Sequence, residues 1–553
     1  MTFSVIYAIL ELQKAFAGEY VVQDDARQHV FWMLRYIDAN LFPNDLIADY
    51  FQSVAPVGYS SLYRIFAFLG INPLVFNKIL PLVLGLFTTG YCFGVTLQII
   101  PLPFTGFLAT LILNQQVWAN DDLISATPRA FLYPLVLAFL YYLLRKSLLP
   151  SLVVLVLLGL FYPQYVFICV GILILRLWDW SGKGFRFSQR KHDYLFCAVG
   201  VGVAFLVMLP YALKTSEFAP VITVTQAKEL AEFQPAGRAS FFTDSLKNYF
   251  LRGRSGLNIP SVFSSPITFS SGFLLPLMML FPSTFPCIKK INREITTLSQ
   301  MVIVSLGMFF LAHVLLFKLH LPSRYTGHNV LIILSISAAI VLTIILDAIL
   351  STFNGKINFY ATIRQLIGLF FTSFITITLL FNYPSTGYVV GSKPALYEFF
   401  QKQPKDILIA SIAGEVDNLP TFSQRSILIA REYGIPYHFG YYSKFRQRVI
   451  DLTQAQYSQD LEDVKTFIQK YGIDFWLLES GAFTPEYINN NSLLKQYYVS
   501  NLNEDQLVTI TKGIFQSLQQ GNVPALSKTV PNCTAAKISD LLVLDAKCIV
   551  NNS

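Results

Sequence analysis

The chain has 553 residues, of which 54% are hydrophobic and only 13% are charged. Soluble globular proteins carry about 25% charged residues, so this composition excludes a soluble enzyme, a disordered chain and a small disulfide-rich secreted domain. A polytopic membrane protein with a soluble appendage remains. The formal net charge of +8 can be interpreted only once it has been located along the chain.

Long apolar segments follow one another through the first two thirds of the chain. A membrane-spanning helix needs about 20 mostly apolar residues. The segments that meet this length are residues 77–99, 127–146, 193–213, 267–287, 298–319, 328–350 and 360–382.

Three further segments complete the set. Residues 3–17 form a short first helix, and residues 104–118 are short but apolar. Residues 148–176 are too long for one helix and contain Tyr162-Pro163 near the middle. Because proline removes a backbone donor and restricts the residue before it, we predict two short helices that meet there. The sequence therefore predicts about eleven spans.

Lysine and arginine concentrate in four short loops between these spans. With eleven spans all four loops fall on one side, which the positive-inside rule assigns to the cytoplasm. The opposite, external side then receives loops 18–76 and 214–266, two shorter loops, and the tail from residue 383. The basic loops contain Arg145-Lys146, the segment 176–191, the segment 289–293, and Lys356 with Arg364.

The tail, residues 383–553, has a different pattern from the membrane body, residues 1–382. It contains 15 basic and 16 acidic residues, so the excess of positive charge belongs to the body and gives no support to nucleic-acid binding. Short apolar strands at 406–410, 426–430 and 474–478 alternate with a helical pattern at 459–471. This alternation predicts a soluble external α/β domain.

Two cysteines, Cys533 and Cys548, are the only ones in the tail. An oxidising external compartment would allow them to form a disulfide. Two free thiols are the alternative.

Two acidic pairs lie in successive external loops. Asp24-Asp25 follows the first helix, and Asp121-Asp122 follows the third. Carboxylates that converge with open positions suit a divalent cation such as Mg²⁺ or Mn²⁺, and one of them could instead serve as a general base. Solvated surface loops are the alternative interpretation, and Asp24 could simply cap the helix that begins near Arg27.

Several cationic side chains share the same predicted face. Arginine binds phosphate oxygens well because its guanidinium is planar and forked. A lipid phosphate at the membrane surface would need such donors, although interface arginines also extend to lipid headgroups without a further role. His29 and His328 are expected to be interfacial hydrogen-bonding residues. The candidate phosphate-binding residues are Arg129, Arg324, Arg252 and Arg254.

With these features, the chain resembles the GT-C superfamily of polytopic membrane glycosyltransferases, which includes oligosaccharyltransferase subunits, protein O-mannosyltransferases and aminoarabinose transferases. Asp24-Asp25 corresponds to the acidic element of the first external loop, Asp121-Asp122 to the second, and residues 383–553 to the external domain. The resemblance implies a polyprenyl-phosphate-linked sugar donor and, in many members, a divalent metal.

These observations together predict a glycosyltransferase in the bacterial inner membrane that acts at its external face on an unidentified acceptor. Asp25, with Asp24 beside it, is the expected catalytic carboxylate, and Asp121 and Asp122 are expected to bind a metal or to position the acceptor. Membrane lipids and the lipid-linked donor are the expected partners. A transporter or flippase of a lipid-linked substrate, and a non-catalytic assembly protein of the same shape, are the alternatives. Against the transporter, we find no inverted repeat and few charges within the spans.

Overall fold

The computed structural model describes residues 1–179, 186–213, 216–259, 267–352 and 387–551, together with a few positions between 366 and 377. Its membrane half is helical. The helices are α1 (Thr2–Ala15), α2 (Ala26–His29), α3 (Leu46–Val54), α4 (Val57–Phe68), α5 (Pro73–Ile99), α6 (Pro103–Ala119), α7 (Asp121–Ile124), α8 (Leu132–Leu144), α9 (Leu148–Phe161), α10 (Val166–Leu175), α11 (Lys191–Leu213), α12 (Val224–Lys228), α13 (Leu246–Leu251), α14 (Ile267–Ser270), α15 (Leu275–Met278), α16 (Thr296–Val314) and α17 (Ser323–Thr352).

Among the described residues, four helices are long and apolar enough to cross a membrane. Shorter apolar helices lie beside them in the bundle, so the body is that of an integral membrane protein. The four long helices are Pro73–Ile99, Lys191–Leu213, Arg293–Val314 and Ser323–Ser351, and the shorter ones are Pro128–Leu144, Leu148–Phe161 and Pro163–Leu175.

Local sequence signals explain several helix boundaries. The Asn72 side chain accepts a hydrogen bond from the Leu74 backbone N–H at 2.8 Å, and Pro73 occupies the first turn of α5, as expected for a helix start. The predicted interruption at Tyr162-Pro163 is confirmed, because α9 ends at Phe161 and α10 begins at Val166.

The predicted span 267–287 is not one helix. It consists of the short helices α14 and α15 with 3-10 turns between and after them. Pro276, Pro282 and Pro286 fall within this segment, and each removes a backbone donor that a continuous helix would use. The predicted span 360–382 and the predicted domain boundary at 382/383 lie almost entirely outside the described residues.

The tail contains a five-stranded mixed sheet. Its strand order is β6-β5-β7-β9-β8, with β5 parallel to β6 and β7, and β9 antiparallel to β7 and β8. Elsewhere, β1 pairs with β4 and β2 pairs with β3. The strands are β1 (Val21–Gln23), β2 (Trp178–Asp179), β3 (Arg186–Phe187), β4 (Tyr388–Val390), β5 (Leu408–Ser411), β6 (Ser426–Ile427), β7 (Phe475–Glu479), β8 (Thr534–Ile538) and β9 (Leu541–Asp545).

The predicted α/β character of the tail is confirmed in its central elements. The predicted helix at 459–471 is α21, which Asp460 caps and Gly472 ends in the left-handed conformation with φ of 67°, a common helix stop. The helices of the tail are α18 (Pro394–Gln401), α19 (Leu419–Phe422), α20 (Phe439–Tyr457), α21 (Leu461–Tyr471), α22 (Pro485–Asn490), α23 (Lys495–Tyr498), α24 (Gln506–Gln519), α25 (Ala525–Cys533) and α26 (Ala546–Asn551).

A disulfide joins Cys533 to Cys548, with their Cα atoms 5.4 Å apart. It connects the end of α25 to α26. The other four cysteines are buried free thiols.

The tail packs directly on the first loop of the body. Tyr50 of α3 stacks on Tyr441 of α20 with a ring-centroid distance of 3.7 Å, and Phe31 contacts Tyr433 edge-on at 5.4 Å. Aromatic pairs of this kind add to the free energy gained by burying apolar surface. The first loop and the tail therefore share one core.

A buried charged network also docks the 216–259 segment on the tail. Arg446 of α20 forms ion pairs with Glu232 and Asp505, and the Tyr497 hydroxyl donates to Glu232 at 2.9 Å. The Ala231 N–H donates to Asp505 at 3.1 Å. We call Glu232, Arg446 and Asp505 the docking triad.

Candidate active site

The acidic elements of the first two predicted external loops meet at one arginine. The Arg129 guanidinium forms an ion pair with Asp25 and lies 3.3 Å, through Nε, from Oδ1 of Asp122. Asp25 and Arg129 are 104 positions apart in the chain. The body therefore brings together the two loops that the sequence could only place on the same side.

Local contacts set the position of Asp25. Oε1 of Gln23 accepts hydrogen bonds from the backbone N–H groups of Asp25 at 2.9 Å and Ala26 at 3.3 Å, so Gln23 caps the short helix α2. Asp24 makes no such cap, because its carboxylate forms an ion pair with Arg27. The two neighbouring aspartates thus have different partners, and only Asp25 contacts Arg129.

Asp122 is held by side chains from two helices. The Tyr133 hydroxyl donates to Oδ2 of Asp122 at 2.9 Å, and Nδ1 of His328 also lies 2.9 Å from this oxygen. Arg129 and Tyr133 are four positions apart, which places them on one side of a helical segment. We call Asp25, Asp122, Arg129, Tyr133 and His328 the carboxylate cluster.

The start of the tail joins the two acidic loops. The Gly387 N–H donates to Oδ1 of Asp121 at 3.4 Å, and the Gly387 carbonyl accepts from the Asp24 N–H at 3.4 Å. Immediately beyond these contacts, β4 pairs with β1 of the first loop. One backbone position of the tail thus contacts the acidic element of each loop.

Arg324 lies beside the carboxylate cluster without joining it. Its carbonyl accepts a hydrogen bond from the Tyr165 hydroxyl at 3.0 Å, and its charge acts on Asp122 and on His29. Within the described residues, the Arg324 guanidinium forms no hydrogen bond or ion pair. It is therefore available to an anionic ligand.

The pKa values of neighbouring groups at the cluster are shifted in opposite directions. Burial alone would raise the pKa of Asp122, but His328 and Arg129 hold that pKa well below its usual range. Partial burial raises the pKa of Asp121, and the nearby charges of Asp25 and Asp24 add to the increase. Burial lowers the pKa of His29 to about 4. At neutral pH, Asp122 is consequently an anion and His29 is neutral.

Arg252 and Arg254, which the sequence offered as candidate phosphate-binding residues, lie away from the carboxylate cluster. The Arg254 guanidinium donates to the Tyr437 hydroxyl and to the Arg238 carbonyl, so it attaches the 216–259 segment to the tail. Arg252 is exposed at the end of α13. Neither arginine makes a direct contact with the carboxylate cluster in the described structure.

The residues present do not fit a divalent cation. Such an ion needs several oxygen ligands at once, whereas Arg129 already neutralises Asp25 and Asp122. Across the ranges that the structure describes, no three His, Cys, Asp or Glu side chains are grouped closely enough to hold a metal.

Sequence reasoning missed Tyr133 and Gly387, and it treated His328 only as an interfacial group. The spacing of Arg129 and Tyr133 on one side of a predicted helix could have indicated Tyr133. Nothing local indicates Gly387, because its role depends on the pairing of β4 with β1.

Comparison of the sequence with protein-family models and with curated proteins finds no match. Solved structures do match in fold. The oligosaccharyltransferase AglB from Archaeoglobus fulgidus, in complex with an inhibitory peptide and a dolichol-phosphate, aligns with a TM-score of 0.54 and 10% identity, over 92% of this chain and 71% of that chain. The apo form of the same enzyme aligns with a TM-score of 0.52 and 10% identity, over 90% of this chain and 72% of that chain.

ArnT from Cupriavidus metallidurans, in the apo state, aligns over 100% of this chain and 98% of its own chain, at 14% identity and a lower TM-score of 0.44. The alignments to the archaeal enzyme extend over body and tail together. The chain therefore shares the fold of this archaeal oligosaccharyltransferase over most of its length.

Proposed function

We propose that this protein is an inverting glycosyltransferase that takes a sugar from a polyprenyl-phosphate carrier and transfers it to an acceptor hydroxyl. In this proposal the body has about eleven spans and lies in a bacterial inner membrane. The carboxylate cluster and the tail then face the external side. The dolichol-phosphate bound to the archaeal enzyme of the same fold supports a carrier of this chemical class.

The observation that carries the proposal is the junction of the two acidic loops at Arg129. A surface loop with two aspartates is commonly solvated and does not need a partner. Here two such loops, from distant parts of the chain, supply one carboxylate each to a single guanidinium. Arg324, whose guanidinium has no partner among the described residues, lies within electrostatic range of Asp122. Anionic and cationic groups at one membrane face are what a sugar-phosphate reaction requires.

Asp25 is the best candidate for the general base. Arg129 binds Oδ2 of Asp25, while Oδ1 has no hydrogen bond within the described residues. The Asp25 side chain is 29% exposed, so an acceptor can reach it. A carboxylate that is held by one oxygen and open at the other can accept a proton in a fixed direction.

The proposed reaction then follows from these positions. The acceptor oxygen attacks the anomeric carbon while Oδ1 of Asp25 takes the hydroxyl proton. The bond between that carbon and the phosphate oxygen breaks, and the electron pair leaves with the lipid phosphate. Arg324 stabilises the negative charge that develops on the phosphate.

The remaining cluster residues position these groups. Asp122 holds Arg129 in place from its other side, and Tyr133 and His328 fix Asp122. Asp121 and Asp24, which both contact Gly387, are proposed to position the acceptor near the start of the tail. Because the cluster does not fit a divalent cation, no step of this reaction is assigned to a metal.

Profiling of lipid-linked sugars tests the proposal. A strain of the source organism that lacks the protein should accumulate a polyprenyl-phosphate sugar, because its consumption is blocked. Expression of the native chain should remove that lipid, whereas Asp25→Asn should leave it, since loss of a general base lowers the rate by about 10²–10⁴-fold.

Asp38→Asn is the matched control. Asp38 lies in the same external loop and pairs with Lys405 of the tail, away from the cluster. It should restore the native lipid profile. Full restoration by Asp25→Asn would overturn the assignment of Asp25, and an unchanged profile in the deletion strain would overturn the transferase proposal.

A further inference from the structure

A second charged site lies at the end of the bundle opposite the carboxylate cluster. Helix α10 begins just after Tyr165, which contacts Arg324, and runs for 10 residues to Leu175. Its length is therefore about 15 Å. Arg176 follows it and lines a cleft of about 350 Å³ together with residues from the starts of α11 and α16.

The charged side chains that line the cleft carry a net positive charge. Arg176, Arg190 and Arg293 line it, and so do two carboxylates, Asp193 and Glu294. Both carboxylates have partners. Glu294 pairs with Arg176 at 3.3 Å, and Asp193 accepts a hydrogen bond at 2.6 Å from the Ser188 hydroxyl.

Arg190 has a different environment from Arg176. Its side chain is exposed and forms no ion pair in the part of the chain that the structure describes. A guanidinium in this position can bind phosphate oxygens through two parallel hydrogen bonds. The cleft thus offers one available cation beside a cation that is already oriented by its carboxylate.

A buried acceptor also lines the cleft. Gln300 in the second turn of α16 is 3% exposed, and its Oε1 has no hydrogen-bond partner among the described residues. An unpaired buried acceptor costs about 1–3 kcal/mol. A ligand that carries a hydrogen-bond donor would satisfy it.

The surroundings of the cleft are those of a membrane interface. Trp178 stacks on Phe187 with ring centroids 4.6 Å apart, and aromatic residues of this kind concentrate where a membrane meets water. On α11, Leu195 and Phe205 are 51% and 65% exposed, so an apolar helix face lies next to the cleft. A ligand in the cleft could extend acyl chains along that face.

We propose that this cleft binds the headgroup of a glycerophospholipid. The phosphate interacts with Arg190 and Arg176, and the ammonium or hydroxyl group beyond it donates to Oε1 of Gln300. Basic pockets between transmembrane helices bind phospholipid headgroups in this manner. The inference is independent of the proposed transfer reaction, since it uses none of the residues of the carboxylate cluster.

Lipid binding to the purified full-length protein tests this inference. Native mass spectrometry would measure adducts with phosphatidylethanolamine, phosphatidylglycerol and phosphatidylcholine, and a separate titration would use inorganic phosphate. The first two lipids should bind more tightly than phosphatidylcholine, which lacks a donor in its headgroup. Arg190→Ala should weaken binding of both by about tenfold, the effect of one charge-assisted hydrogen-bonding group.

Three variants make the result specific. Lys290→Ala removes one positive charge from an exposed residue that precedes α16 and lies outside the cleft lining, so it should bind lipid like the native chain. Gln300→Leu should remove the preference of phosphatidylethanolamine over phosphatidylcholine, because these two headgroups have the same net charge and differ in the donor that Gln300 accepts. Arg190→Lys should retain part of the binding, because the charge remains.

Each contrary outcome would overturn the proposal. Unchanged lipid binding in Arg190→Ala would exclude the cleft as the binding site, and an equal loss in Lys290→Ala would indicate only non-specific attraction. Inorganic phosphate that binds as tightly as the lipids and displaces them would identify free phosphate, instead of a lipid headgroup, as the ligand.

Discussion

The carboxylate cluster and the docking triad both contain an arginine between two carboxylates, but they differ in the burial and hydrogen bonding of those carboxylates. In each, one arginine lies between two carboxylates, Arg129 in the cluster and Arg446 in the triad. The carboxylate side chains of the triad, Glu232 and Asp505, are 1% and 0% exposed. In the cluster, Asp25 is 29% exposed.

The accessible hydrogen-bonding capacity differs as well, because the triad oxygen without a hydrogen-bond partner among the described residues, Oε2 of Glu232, is buried. Both oxygens of Asp505 accept hydrogen bonds, from the start of α24 and from Ala231. Oδ1 of Asp25 accepts none in the described structure. An arginine between two carboxylates therefore does not by itself indicate a functional site. An accessible oxygen within such a group does, because it can take a proton or a ligand.

Breaking the docking triad should have the largest effect on stability. Arg446→Met leaves two buried carboxylates without their cation, which costs about 3–5 kcal/mol. Thermal unfolding of the purified protein should show a large decrease in Tm. Lys405→Ala, which removes an exposed pair with Asp38, is the control and should change the free energy of unfolding by about 0.5 kcal/mol or less. Equal effects of the two variants would contradict the difference in burial.

Breaking the cluster at Asp122 should instead affect the reaction. Asp122→Asn weakens the hold on Arg129 and so displaces Asp25, and a misplacement of this kind costs about hundredfold in rate. The assay is release of polyprenyl phosphate by purified variants, with Tm measured in parallel. A rate loss with a Tm close to that of the native chain supports the comparison. A large decrease in Tm with native activity per folded molecule would show that Asp122, like Asp505, stabilises the fold and does not support the reaction.

Asp417, a buried carboxylate near Arg27 and Arg238, should have a smaller, pH-dependent effect on stability. Burial raises the pKa of Asp417 from 3.8 to about 6, in spite of the nearby charges of Arg27 and Arg238. The folded protein therefore holds this proton to a higher pH than the unfolded chain, and folding loses stability as the pH rises from about 4 to 6.

Asp417→Asn removes that loss. The variant should be more stable than the native chain by about 1–2 kcal/mol at pH 7, and the difference should vanish near pH 4. Thermal unfolding at a series of pH values measures it. A stabilisation that does not change with pH would show that Asp417 is ionised in the fold throughout the range.

Much of the architecture follows from local sequence. The apolar segments predicted α5, α11, α16 and α17 because the length of an apolar run is a local property. The interruption at Tyr162-Pro163 and the stop at Gly472 depend on single residues whose backbone preferences are fixed chemically. Two features were not predicted. Segment 267–287 was predicted as one span from its hydropathy, although its three prolines interrupt the helix, and the hairpin of β8 and β9 was not predicted at all.

Within the candidate site, the sequence supplied the acidic pairs and Arg129 but not their pairing. Composition restricted attention to a few charged residues at one membrane face. Only the tertiary structure selected Asp25 over Asp24, joined Asp25 to Asp122 through Arg129, and added Tyr133, His328 and Gly387. Helix propensity and hydropathy depend on neighbours within a few positions, whereas a contact across 104 positions depends on how whole helices pack, and packing is a property of the complete fold.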